Sequence, residues 1–180
     1  SATGNGSIAF LVRDSQIGNS DPSSNEDFKR DIVNEGNVSA NGVESSGFTI
    51  ENNVDQNYTA SSFINQAAGK ITAIGEGSTG LHLSGALLTG ELINDGLISG
   101  GGVGIDLDSN PAGTYQSTLR GIDNAGTIEG TGATSTGLLV DGVTFYESMR
   151  GLVNTGTIKG GAIGIDFDQF AMEVDPTNYD

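Results

Sequence analysis

A short motif of the form apolar-x-Asn-x-Gly-x-Ile-x-Gly recurs along the chain at intervals of about 30 residues. Clear copies begin at Leu92, Ile122 and Leu152, and looser copies begin at Ile32 and Phe63. The motif asparagines are therefore separated by 31, 29, 30 and 30 residues. A spacing this regular predicts a solenoid, in which each repeat unit stacks on its neighbours and buries its core only against them.

A second motif follows each copy of the first, and it occupies residues 47–51, 80–84, 104–108, 137–141 and 164–168. Both motifs alternate apolar and polar residues with period two, which is the spacing of a β-strand. The 29 glycines also disfavour helices, because an interior glycine costs a helix about 1 kcal/mol. One repeat before Asn34, we expect Gly4, Gly6 and Ile8 to fill the slots of the first motif.

These features predict an all-β protein, a right-handed parallel β-helix (β-solenoid) of about six coils of ~30 residues with three short strands per coil. The third strand is expected in the stretch that leads into the Asn motif, as in residues 119–121. We expect one domain over 1–180, with an irregular first coil that carries an acidic loop (1–31), regular coils (32–168) and a C-terminal tail or cap (169–180).

Stacking of coils should align equivalent residues in ladders about 4.8 Å apart. Two apolar columns are predicted to form the core, one through Leu92 and Leu152 and one through Ile98 and Ile158. The motif asparagines should form a structural ladder on the inward side of a bend, where stacked amides can bond one another. These residues are Asn34, Asn65, Asn94, Asn124 and Asn154.

Composition narrows the range of partners. The chain has 23 acidic and 7 basic residues and a formal charge of −16, so nucleic acid and anionic membrane surfaces should be repelled. It has no cysteine, which excludes disulfides, zinc-thiolate sites and thiol nucleophiles. No apolar run approaches the roughly 18 residues that a membrane-spanning helix needs, so we expect no transmembrane segment in this chain.

Tandem copies of Asn-x-Gly-Thr-Ile-x-Gly, each followed by Gly-Ile-x-Phe or a variant, resemble the passenger β-helix of bacterial autotransporters and related haemagglutinin-like surface proteins. The resemblance covers residues 32 to 168 and part of the first unit. It implies export across a Gram-negative envelope and an extracellular location on the bacterial cell surface. Such passengers include adhesins and matrix components, so the resemblance implies an adhesive or structural role.

Stacked carboxylates form the sharpest chemical feature. An acidic column is expected on one side of the solenoid, through Glu51, Ser84, Asp108, Asp141 and Asp168, with the outward Asp106 and Asp166 flanking it. Its aspartates and the two flanking ones are the candidate calcium ligands. Carboxylates at coil spacing repel one another unless a cation separates them, and oxygen ligands suit Ca²⁺. The hypothesis of a calcium site stands beside a simpler interpretation, a solvated acidic edge that keeps the solenoid soluble. No other cofactor is predicted.

The chain is predicted not to be an enzyme. The alternative is a protein that binds or cleaves polysaccharide with the pairs Asp106/Asp108 and Asp166/Asp168 as acid and base. The pairs recur in the same slot of different coils, which is what repeat duplication produces. His82 is expected to face solvent on its own, without a Ser or Asp partner.

Aromatic residues concentrate in the connections whose lengths vary most between coils. Tyr58, Tyr115, Phe145 and Tyr146 are candidate ligand-contact residues, because aromatic rings stack on sugars and solenoids often bind ligands at such loops. The equal alternative is that these rings pack onto the strands beneath them.

A parallel β-helix exposes strand edges at both ends. The sequence leaves two uses for them: they join further coils of a longer passenger, or they stack head to tail between copies and build a filament. We therefore expect a secreted, non-enzymatic structural or adhesive protein of a cell surface, extracellular matrix or biofilm. It would act through self-association or through a host or matrix surface ligand such as a glycan.

Overall fold

The computed structural model describes residues 1–13, 31–51, 62–88, 90–109, 116–146, 151–168 and 171–173. These residues form twenty β-strands, and none of them is helical. The strands assemble into four parallel sheets in which neighbours come from successive passes of the chain. The protein is therefore the all-β parallel solenoid that the repeat predicts.

Sheets 1 and 2 each contain six strands. Sheet 1 is formed by β1 (Ala2–Thr3), β4 (Asn37–Asn41), β7 (Lys70–Ile74), β10 (Leu97–Gly100), β14 (Thr127–Gly130) and β18 (Thr157–Lys159). Sheet 2 is formed by β2 (Ile8–Arg13), β5 (Ser46–Glu51), β8 (Thr79–Ser84), β11 (Val103–Asp108), β15 (Thr136–Asp141) and β19 (Ile163–Asp168).

Sheets 3 and 4 close the remaining sides. Sheet 3 is formed by β3 (Ile32–Asn34), β6 (Phe63–Asn65), β9 (Glu91–Asn94), β13 (Gly121–Asn124) and β17 (Gly151–Asn154). Sheet 4 is short and is formed by β12 (Ser117–Leu119), β16 (Val143–Tyr146) and β20 (Ala171–Glu173). Because β20 pairs with β16, this part of the predicted tail belongs to the last coil.

The coils differ from the prediction in two respects. Five passes of the chain have a strand in each of sheets 1, 2 and 3, but the first has only the two-residue β1 in sheet 1, which leaves four regular coils. The sixth pass has no described strand in sheet 3, so the predicted six coils are too many. The Asn motif is two strands rather than one, because the chain turns a corner between sheet 3 and sheet 1 after each motif asparagine. Among the described residues, sheet 4 adds a further strand in each of the last three coils.

The core consists of apolar columns that run along the solenoid. Leu92 pairs in register with Phe63 and Ile122 in sheet 3, and Ile98 pairs with Ile71 and Ile128 in sheet 1. All six side chains are buried, in the columns that the motif spacing predicts. Burial of each large apolar side chain contributes about 1.5–3 kcal/mol, and these columns are therefore the main source of stability.

The first coil has a different register from the predicted one. Gly4 was assigned to the Asn slot, but its amide donates to the carbonyl of Asn41 and it lies against Gly42 at the corner between sheets 1 and 2. Ile8 then starts β2 and pairs with Ser46 in sheet 2. The alternating Ile8, Phe10 and Val12 belong to the second motif rather than the first.

The five motif asparagines form a continuous ladder of side-chain hydrogen bonds at the corner between sheets 3 and 1. The Nδ2 of Asn34 donates to Oδ1 of Asn65 at 2.8 Å, and the three following links each measure 2.7 Å. Every Nδ2 also donates to a nearby glycine carbonyl, such as that of Gly96 for Asn94. Asn65, Asn94 and Asn124 are inaccessible to solvent, so these bonds replace the water that the amides lose.

Replacing Asn94 by alanine should lower the free energy of unfolding by about 3 kcal/mol, because Oδ1 of Asn124 loses its donor and Nδ2 of Asn65 loses one of its acceptors inside the solenoid. Asn154→Ala is the matched control, since Asn154 ends the ladder and is exposed. We expect a loss of about 1 kcal/mol there. Urea unfolding followed by circular dichroism measures both values. Equal losses would mean that the ladder adds nothing beyond local turn bonds.

Candidate functional site

Two surfaces at the ends of the solenoid expose residues that are core residues elsewhere. We define the last-coil edge as Ile163, Ile165, Phe167 and Asp168 of β19, the outermost strand of sheet 2. Ile163, Ile165 and Phe167 are 42%, 40% and 39% exposed. Leu138 and Val140 occupy the columns of Ile165 and Phe167 one coil earlier, and both are fully buried. Two core columns therefore reach the last-coil edge with their final side chains partly exposed.

The opposite edge of sheet 2 has the same character. We define the first-coil edge as Ile8, Phe10, Val12 and Arg13 of β2. Phe10 is 48% exposed although its ring stacks on Phe48 with centroids 4.5 Å apart. Arg13 Nε lies 2.6 Å from a carboxylate oxygen of Glu51, so the basic group is held at the rim of this edge.

The two edges occupy matching positions in the same columns. Strand pairing through sheet 2 places Phe10, Phe48, Leu81, Ile105, Leu138 and Ile165 in one column. Val12 and Phe167 end the neighbouring column in the same way. The two edges are therefore the opposite ends of the same columns.

A polar cluster lies on the outward side of sheet 2, between two adjacent strands. His82 is the fourth residue of β8, and β11 places Asp106 directly beside it, with Asp108 two residues further on. The side chains are held outward because Leu81, Leu83, Ile105 and Leu107 point into the core. His82 Nε2 lies 3.2 Å from Oδ2 of Asp108. Ligand atoms of His82, Asp106 and Asp108 all lie within 4.8 Å of one another.

The cluster shifts the protonation of its members. Burial raises the pKa of Asp106 to about 6, His82 opposes the rise, and the carboxylates of Asp108 and Asp141 add to it. Burial alone would lower the pKa of His82, but the hydrogen bond to Asp108 and the nearby carboxylates leave it raised. Asp106 therefore loses its proton at a higher pH than an ordinary aspartate, and a nearby cation would favour its charged form.

The predicted acidic column follows the strand register, which pairs Glu51 with Ser84, Ser84 with Asp108, and Asp141 with Asp168. Leu139 of β15 lies in register between Asp106 and Asp166, so the two predicted Asp pairs are separated by a coil. Asp141 and Asp168 pair with each other on β15 and β19. Within the described part of the chain, Asp141, Asp166 and Asp168 do not join the group around His82.

His82 faces away from the core as expected, but the expectation that it has no Asp partner is wrong, because Asp106 and Asp108 lie beside it. The sequence carried a signal for this. When residues 80–84 are aligned with 104–108, the middle residues His82 and Asp106 fall in the same column, and the strand pairing places them side by side.

The candidate aromatic contacts divide into three cases. Phe145 is 2% exposed and packs in the core from β16. Its ring therefore packs onto the solenoid, and the prediction that it contacts a ligand is wrong. Tyr146 ends β16 opposite Glu173. Tyr58 and Tyr115 lie outside the described residues, as does the predicted acidic loop beyond Arg13.

The chain matches no protein-family model, and no curated protein or solved structure shows significant similarity to it. Fold and strand register define it as a parallel β-solenoid repeat protein. No helix with the length and apolar character to cross a membrane occurs in the described ranges.

Proposed function

We propose that this chain is a non-enzymatic structural solenoid that associates with further copies of itself by stacking the last-coil edge of one copy on the first-coil edge of the next. The observation that carries the proposal is the exposure of core positions at both edges of sheet 2. The occupant is a second copy because the two edges continue the same columns in the same direction.

The contacts at such a junction follow from the register of sheet 2. Continuing each column places Ile8 beside Ile163, Phe10 beside Ile165, and Val12 beside Phe167. Six-residue strands then face each other with parallel backbones, and each supplies the amide and carbonyl groups that the other can bond. Sheet 3 has one strand fewer, so the direct contacts lie on sheets 1 and 2.

Charge supports the same pairing. Arg13 continues the column that ends in Asp168, so a junction places a guanidinium between Glu51 of its own chain and Asp168 of the neighbour. With a net charge of −16, copies otherwise repel one another, and salt should promote association by screening that repulsion. A contact between two different edges propagates into a filament when the rotation between copies does not close a ring, and stacking along the solenoid axis has that property.

The location is part of the proposal. We place the filament outside a bacterial cell, on its surface or in a matrix or biofilm, in the manner that the resemblance to autotransporter passengers implies. Adhesion to a host or matrix glycan is the alternative use of the same solenoid. The length of a β-solenoid and its lack of cysteine suit either use outside the cell.

Charge reversal at the junction tests the proposal. Wild-type protein should show concentration-dependent association in sedimentation velocity and filaments by electron microscopy. Arg13→Glu and Asp168→Arg should each weaken association about tenfold, because like charges then meet across the junction. The double variant should recover it, since the pair is restored with its signs exchanged.

Lys70→Glu is the matched control, because it changes the net charge as much as Arg13→Glu but lies on β7 in the middle of the solenoid. It should associate like wild type. A wild-type protein that stays monomeric at every concentration would overturn the proposal, and so would a double variant weaker than both single ones.

A further inference from the structure

The polar cluster on sheet 2 brings together nitrogen and oxygen donor atoms that have no role in end-to-end stacking. We propose that His82, Asp106 and Asp108 bind one divalent transition-metal ion of the Zn²⁺ type. The inference is independent of the proposed assembly, because the cluster lies on β8 and β11, away from the outermost strands of sheet 2.

The set of donor atoms selects the class of metal. An imidazole nitrogen with two carboxylates is a mixed nitrogen and oxygen set, which suits Zn²⁺, Co²⁺ or Ni²⁺. Calcium and magnesium take oxygen ligands almost exclusively, and Ca²⁺ needs six to eight of them. The cluster therefore points away from the calcium ion that the acidic column suggested.

All three donor residues lie on β-strands rather than on loops, and the strands hold them close together. His82 and Asp106 are neighbours in paired strands, and the ligand atoms of all three residues lie within 4.8 Å of one another. Small rotations of the side chains would bring them to a common ion. The strands beneath are held by buried leucines and isoleucines, so the backbone positions of the donors are fixed.

A second observation points to a missing partner. Oδ1 of Asp108 is shielded from solvent and has no hydrogen-bond partner among the described residues, while Oδ2 faces Nε2 of His82 at 3.2 Å. A buried carboxylate oxygen without a donor is unfavourable. A bound cation would satisfy that oxygen and would take the place of the proton shared between His82 and Asp108.

The site occurs once in the described coils. In the columns of this cluster, the residue beside His82 in β5 is Thr49, and the residue beside Asp106 in β15 is Leu139. Neither side chain is a metal ligand of this kind. The proposal therefore predicts one ion per chain rather than a row of ions along the solenoid.

Isothermal titration calorimetry with ZnCl₂ on the full, untagged, chelator-treated chain tests the site. Wild type should bind one Zn²⁺ per chain. His82→Asn and Asp106→Asn should each bind roughly 100-fold more weakly or not at all, because each removes a direct ligand. Asp166→Asn is the matched control, since Asp166 lies on the same face but a coil beyond Leu139, and its affinity should equal that of wild type.

Substitution with Co²⁺ supplies a second readout. The visible absorption of bound Co²⁺ should appear in wild type and Asp166→Asn and should be absent in His82→Asn, while circular dichroism checks that each variant is folded. Three results would overturn the proposal: no Zn²⁺ binding by wild type, an equal loss of affinity in Asp166→Asn and His82→Asn, or displacement of Zn²⁺ by a moderate excess of Ca²⁺.

Discussion

Replacing Gly126 by alanine should lower the free energy of unfolding by about 3 kcal/mol or more, whereas the same replacement at Gly36 should change it by less than about 0.5 kcal/mol. Both glycines occupy the same slot of the Asn motif, two residues after the motif asparagine. What differs is the coil that lies beneath each of them.

The reason is the close approach of successive coils at the corner between sheets 3 and 1. A Cβ built on Gly126 would overlap the carbonyl oxygen of Gly96 and would also crowd the backbone of Asp95. These are backbone atoms tied into the corner by hydrogen bonds, such as the one from the amide of Thr127 to the carbonyl of Gly96. The coil cannot yield without losing them.

Gly36 is the matched control because it belongs to the first copy of the motif, and a Cβ there meets no other atom within 4 Å. Urea unfolding of both variants, followed by circular dichroism, gives the two free-energy changes. If Gly36→Ala and Gly126→Ala destabilise the protein equally, the glycine slot is set by the conformation of the turn rather than by stacking.

This comparison shows why the regular part of the solenoid is readable from sequence. Each conserved slot of the first motif stacks on the same slot one coil away. The same residue types are therefore required in five copies, at a spacing of about 30 residues. The ladder from Asn34 to Asn154 and the column through Ile98 follow directly from that spacing. In this part of the chain the repeat spacing determines which residues pair between strands.

The errors arise where the spacing is irregular. The link between Arg13 and Glu51 spans 38 residues, whereas the one between Asn94 and Asn124 spans 30, so counting back by one period misplaces the first coil. Glycines occur at several corners of each coil, and Gly4 alone could not decide between them. The alternation of Phe10 and Val12, which matches Phe48 and Ile50, was the better guide.

The cluster around His82 was not predicted from the sequence, for a related reason. Read within its own strand, His82 has only Leu81 and Leu83 beside it, both of which point into the core. Its acidic neighbours come from the next coil, more than twenty residues further along the chain. The sequence contains the cluster only when the second motifs of adjacent coils are aligned, and loops of unequal length hide that alignment.

Ile165→Lys should abolish end-to-end association, with a loss of affinity of roughly 100-fold or more, because it places an ammonium group where Phe10 of the neighbouring copy should pack. Ile165 is 40% exposed in the single chain, so the substitution should leave the fold intact. Circular dichroism and the urea midpoint check this, and sedimentation velocity measures the association.

Ile74→Lys separates the effect of position from the effect of charge. Ile74 ends β7 in the middle of the solenoid and is 64% exposed, so the same substitution adds the same charge to a side surface. We expect Ile74→Lys to associate like wild type, or slightly better because the added positive charge reduces the net charge of −16. If instead Ile74→Lys blocks association and Ile165→Lys does not, copies meet through their sides. The exposed core at the last coil would then serve a different partner.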